Sequence, residues 1–213
     1  MQGLALALMA STSAHAEVTT EHKLWIDATV RAEVVDALDV SVTQHLRTAD
    51  GASKVSQIMP ELELSYDFLD HFAVGAGVRY AFEQNEGDET ARTVRFHGQL
   101  GVESPDLGPV ELGYRLRLQR ETVPADEAKV RLRNKADMQL DTSSPLKPGV
   151  FYEHFLDPGG DAGHKSQKYR LGAGVTFKIN ATHRLKLKLF QDKEIDGDGD
   201  KQRVVSLGYR YSF

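Results

Sequence analysis

The 213-residue chain contains no cysteine, a single tryptophan, and no apolar run approaching the ~20 residues that a membrane-spanning helix requires. Without cysteine, disulfides cannot be what stabilises it, which fits an exported protein that does without them. The missing run excludes a helical membrane protein. A mean hydropathy of −0.40 and 27% charged residues resemble an ordinary soluble domain. Average hydropathy is blind to one architecture, however. Barrel strands alternate lipid-facing and lumen-facing residues, so each segment averages to near neutrality.

What the chain does have is alternation. From residue 23 onward, eleven stretches repeat with period two: 23–35, 38–48, 55–68, 72–84, 91–104, 110–122, 129–141, 148–156, 167–179, 184–195 and 202–213. In "VELGYRLRLQ" the oily set is Val110, Leu112, Tyr114, Leu116 and Leu118, set against Glu111, Gly113, Arg115, Arg117 and Gln119. "RLKLKL" alternates Leu185, Leu187 and Leu189 with Arg184, Lys186 and Lys188. The stretches match the ~9–11 residues of a tilted transmembrane strand better than the ~5–6 of a soluble one. A soluble sheet with one wet face would share the period. Aromatic residues near both ends of the oily face, such as Tyr66, Phe68, Phe72 and Tyr80, point instead to the girdles of a membrane barrel.

The connections alternate too. Tight ones ("VDALD", "FLDH", "PDLGP", "SSPLKP", "NATH") take turns with long, acidic or glycine-rich ones ("TADGASK", "EQNEGDET", "ETVPADEA", "DPGGDAGHKS", "DKEIDGDGDK"). Short periplasmic turns and longer external loops are the outer-membrane pattern. At the N-terminus, the apolar "GLALALMA" followed by Ala14-His15-Ala16 reads as a signal peptide over residues 1–16, cleaved before Glu17. The basic residues that usually precede such a run are missing. The expected fold is a single all-β, antiparallel up-and-down transmembrane barrel of ten to twelve strands over residues 17–213. An odd strand count conflicts with the even number usual in bacterial barrels. Residues 23–35 are therefore expected to sit partly in the lumen or pair irregularly, unless a segment is wrongly divided. Ten strands from Leu38 would close antiparallel without them. Pro60 lacks an N–H for the ladder, so a bulge or local disorder is expected there.

The last strand, "VVSLGYRYSF", ends on Phe213 with Tyr211, Tyr209, Leu207 and Val205 at alternate positions. It resembles the assembly signal of Gram-negative outer-membrane proteins. With "LWIDATVRAEV", "SVTQHLRT", "ELELSYDF", "GAGVRYAF" and "RLRNK", the chain from about Lys23 to Phe213 resembles a family of small outer-membrane barrels of unknown function. The resemblance implies an outer-membrane location, contact with its lipids and lipopolysaccharide, and recognition by the assembly machinery through Tyr209, Tyr211 and Phe213. It implies no catalytic residue and no cofactor.

The inward-facing positions carry the candidate chemistry. Asp27, Glu61 and Glu63 make an acidic wall. Arg95, Arg115, Arg117, Arg131, Arg133, Arg170, Lys186 and Arg210 make a basic one, with Glu153 a minority acid. Such side chains either bridge the lumen as a salt-bridged plug or line a narrow channel favouring anions. The former makes the barrel a structural or surface-interaction protein. A lipid-directed hydrolase or acyltransferase would need a nucleophile, base and orienting group within reach. His45 and His97 point inward with Ser41, Ser65 and Ser206, but in no recognisable constellation, and His154 points toward lipid or the rim. Asp196, Asp198 and Asp200 space like the start of a calcium loop. Lys201 and Leu207 stand where that loop needs glycine and glutamate, so no metal site is assigned. The net charge of −5 and an acidic outer surface argue against nucleic acid.

Overall fold

The structure is a computed structural model, described for residues 20–49, 53–84, 90–105, 107–122, 128–159, 165–195 and 201–213. The expected signal peptide and Asp196, Asp198 and Asp200 lie outside these residues. Eleven strands follow one another: β1 (Thr20–Val35), β2 (Leu38–Ala49), β3 (Lys54–Leu69), β4 (Phe72–Gln84), β5 (Thr90–Glu103), β6 (Val110–Thr122), β7 (Lys129–Leu140), β8 (Leu146–Asp157), β9 (Lys165–Lys178), β10 (His183–Glu194) and β11 (Lys201–Ser212). Each alternating stretch of the sequence falls on one strand. Among the described residues there is no helix.

The strands close into one barrel in chain order, each antiparallel to the next. With an odd count, closure leaves one pair of strands running the same way. That pair is β1 and β11, in parallel register from Thr20↔Lys201 to Arg31↔Ser212. The segment 23–35 therefore lies within the wall and not in the lumen, and β1 separates β2 from β11. The seam continues past β11: the Phe213 N–H donates to the Arg31 carbonyl at 3.1 Å, and the Glu33 N–H to the Phe213 carbonyl at 3.2 Å. These bonds satisfy backbone groups that an open edge would leave bare.

Pro60 also departs from expectation. It pairs with Gln44 on β2 in unbroken register. The ladder to β4 passes from Ile58↔Phe82 to Glu61↔Arg79 without a shift. The strand absorbs the missing donor on its β4 side without a bulge. The register shifts on β3 lie instead between its Val55 and Gln57 pairings to β2 and between its Asp67 and Leu69 pairings to β4.

The packing is inside out relative to a soluble domain. Val74, Leu112, Leu118, Leu171, Leu187 and Leu189 are exposed on the outer face, Leu189 by 58%. Buried residues inside include Glu61, His97, Arg117, Glu153 and Asp192. Phe213 is 68% exposed, so its ring belongs to the outer surface and not to a core. It contacts Tyr211 at 5.5 Å between ring centres, and His183 links Tyr211 and Tyr209 into one aromatic cluster at the short-turn end.

The parallel seam can be tested covalently. Ile26 and Leu207 are register partners facing outward. With no native cysteine to compete, Ile26→Cys with Leu207→Cys should form a disulfide on oxidation of the folded protein. A non-reducing gel reads it, and its absence would favour a ten-stranded closure of β2 on β11.

Candidate functional site

Alternation sends odd-numbered residues of β1–β8 and even-numbered residues of β9–β11 inward, and all the charged residues picked from the pattern line the lumen. They surround a cavity of about 960 Å³ whose walls run from Glu111 and Lys178 near the turns to Lys23 and Lys168 near the loops. Two ion-paired clusters project into this cavity at mid-height, each spanning several neighbouring strands.

The first joins β3 to β6. Arg117 donates to Glu63 at 2.9 Å and to Gln99 at 2.8 Å, and lies 3.9 Å from Glu61. Arg79 completes Glu61 with a short ion pair. His97 on β5 reaches past β4 to Glu63 on β3 at 3.0 Å. It does so because Gly77 lies between them in register. A side chain at position 77 would put its Cβ 2.5 Å from His97 Cε1 and 2.8 Å from the Leu62 carbonyl. On β2, His45 Nδ1 bonds Asp27 at 2.7 Å, and Arg47 reaches the same carboxylate at 2.7 Å. His45 Nε2 lies 3.4 Å from Glu61 Oε2 without hydrogen-bond geometry.

The second cluster centres on Glu153, which is 2% exposed. Its carboxylate accepts from Arg133 at 2.7 Å, Arg115 at 3.1 Å and Arg170 at 3.2 Å, so three strands meet a fourth at one anion. Arg170 also donates to Asp192 at 2.6 Å. Its guanidinium lies 4.7 Å from the Phe190 ring centre and 4.8 Å from that of Trp25. Arg–carboxylate forks with aromatic faces above them suit guanidinium and not ammonium groups. Toward the loops, Glu121 pairs with Arg95 and with Arg131 at 3.3 Å.

The turn-side half differs. Arg31 pairs with Asp39, and Lys135 with Asp137 at 2.5 Å. In the turn after β7, the Lys147 ammonium holds the Asp141 carboxyl below the usual carboxylate range. Lys186 and Arg210, picked from the sequence with the others, face this half and are exposed to it.

Glu61, Glu63 and His97 offer ligand atoms within 4.8 Å of one another, a spacing that could hold a metal ion. The cations placed there are Arg79 and Arg117, which a metal would have to displace. His45 and His97 are likewise engaged by carboxylates, and no hydrogen bond to an inward serine is formed by either among the described residues. One pairing lies outside the lumen and was missed from the sequence. His154 Nε2 and Ser166 Oγ are 2.5 Å apart on the outer face near the loop end. The β8–β9 register shifts between Phe155 and Leu156, adding Gln167 and turning Ser166 outward. Strict alternation would send it inward.

These features define a closed eleven-stranded β-barrel with an apolar exterior and an ion-paired interior. The family model described as "Protein of unknown function (DUF2490)" matches residues 22–203, from β1 into β11, and the chain belongs to that family. No curated protein matches the chain.

Two substitutions probe the clusters. Gly77→Val should drive His97 off Glu63 and destabilise the barrel by about 1–3 kcal/mol, as overpacking does. Glu153→Gln leaves three arginines around a neutral group and should cost about 3–5 kcal/mol. Thermal or denaturant unfolding of the refolded protein reads both, with Lys54→Gln at the loop end as an unaffected control.

Proposed function

We propose that this protein is a bacterial outer-membrane β-barrel with a structural or surface-interaction role and a lumen closed at rest. The observation that carries the closed lumen is the pair of ion-paired clusters bridging strands at mid-height. Arg117 ties β6 to β3, and Glu153 gathers β6, β7 and β9 onto β8. Salt bridges of this kind hold only if every strand keeps its place, so the lumen works as an internal brace. The apolar outer face supports lipid as its surroundings, since such a surface is costly in water. The long connections would then face lipopolysaccharide, and the β11 aromatics Tyr209, Tyr211 and Phe213 would meet the assembly machinery.

Conductance tests this reading. In a planar bilayer the refolded protein should give no discrete steps, while Arg117→Ala with Glu153→Ala should open measurable ones. Anion-selective steps from the unaltered protein would overturn it in favour of a narrow anion-favouring channel.

A second reading, a lipid-directed hydrolase, is favoured by the His154–Ser166 pair. A serine bonded to imidazole on a lipid-facing surface is the first element of acyl transfer. A fluorophosphonate probe decides it. Labelling that is lost in both Ser166→Ala and His154→Ala would support the enzyme, and an unlabelled protein would remove it.

A further inference from the structure

Two turn-side lysines of the lumen lack the carboxylate partners that their basic neighbours have. The inward carboxylates of the clusters above are each held by at least one basic group. Among the described residues, Lys186 and Lys188 on β10 form no ion pair and no hydrogen bond; Lys188 only lies 5.6 Å from the Phe151 ring centre. The charged groups acting most strongly on Lys186 are the cations Lys135, Arg210 and Arg115 and the acid Asp137. On Lys188 they are the cations Lys186, Lys135 and Arg170 and the acid Asp27. Asp137 is itself taken by Lys135 at 2.5 Å, and Asp27 by Arg47 and His45.

A recess of about 40 Å³ lies here, lined by Lys135, Lys147, Lys186 and Lys188 and by the one carboxylate Asp137, which Lys135 holds. The space comes from glycine. Gly149 and Gly174 are register partners across β8 and β9, and Gly174 is in turn the partner of Lys188. A Cβ at position 174 would sit 3.0 Å from Lys188 Cγ, so the lysine stem lies across the glycine toward the recess. The volume exceeds the ~10–15 Å³ that one water needs. The same lysines also line the main cavity, which has room for the rest of a larger molecule.

We propose that this recess is a binding site for a phosphate group, on the turn side of the ion-paired clusters. Ammonium groups bind phosphate as point charges, and charge of one sign in a narrow cleft concentrates the opposite ion. A compact multivalent oxyanion supplies the charge that the neighbouring carboxylates lack. Binding does not require conduction, so the site stands or falls apart from the closed-lumen reading.

Calorimetric titration of the refolded full chain in zwitterionic detergent tests it, with inorganic phosphate and glycerol phosphate as probes in chloride buffer. One saturable site is expected, weakened at least about tenfold in Lys186→Gln with Lys188→Gln. Lys54→Gln, at the loop end, should leave it unchanged. Tighter binding of phosphate itself would mark a free oxyanion, and tighter binding of glycerol phosphate a phosphorylated solute seated in the lumen; either supports the site. Removing two mutually repelling charges should leave folding intact or raise the thermal midpoint. Should the double variant fail to fold, Lys186→Gln alone carries the same expectation with a smaller loss. No saturable binding to the folded protein, or equal affinity in the variants, overturns the proposal.

Discussion

Glu153 accepts hydrogen bonds from arginines on three other strands, and much of the interior is arranged around keeping that anion surrounded. A barrel with an apolar outside has to turn its polar residues inward. Buried charges in a confined space are tolerated only when paired and hydrogen-bonded. Glu153, Asp192, Glu63 and Glu61 each meet that condition through arginine, whose fork satisfies two acceptors at once. The aromatic rings of Trp25, Phe155 and Phe190 close over Arg170 and complete its surroundings.

Such reach across strands needs gaps, and glycine supplies them. Gly77 lets His97 pass to Glu63, and Gly172 lets Phe151 and Phe190 meet edge to face at 5.8 Å between ring centres. The inward side is thus built in steps: a glycine on a middle strand, with partners joined over it from either side. Where glycines lie beside lysines with no acid to spare, as at Gly149 and Gly174, the same step leaves a basic recess. One construction rule therefore yields both the brace and the proposed binding site.

The strands were legible because period two is imposed locally by the pleat, as "VELGYRLRLQ" and "RLKLKL" display. Which charges face inward followed from the same count. Closure did not follow, because whether β1 pairs with β11 or leaves the wall is decided by the whole ring and not by any one segment. Partner choice was equally hidden: that Arg117 finds Glu63, while Lys186 finds no acid, depends on strand stagger around the barrel. Pro60 looked disruptive because its missing donor was weighed without knowing that the register would continue past it. The outward Ser166 could not be read from alternation, because one bulge residue, Gln167, reverses the face of what precedes it. The acidic "DGDGD" stretch and residues 1–16, expected to be a signal peptide, lie outside the described residues.

The most direct test of the central claim is a double-mutant cycle across the lumen, with Glu63→Gln, Arg117→Gln and the pair, read by unfolding free energy. Residues joined over the two intervening strands should show a coupling of about 1–3 kcal/mol. Additive effects, with coupling near zero, would mean that the ion pairs merely occupy the lumen and do not brace the barrel.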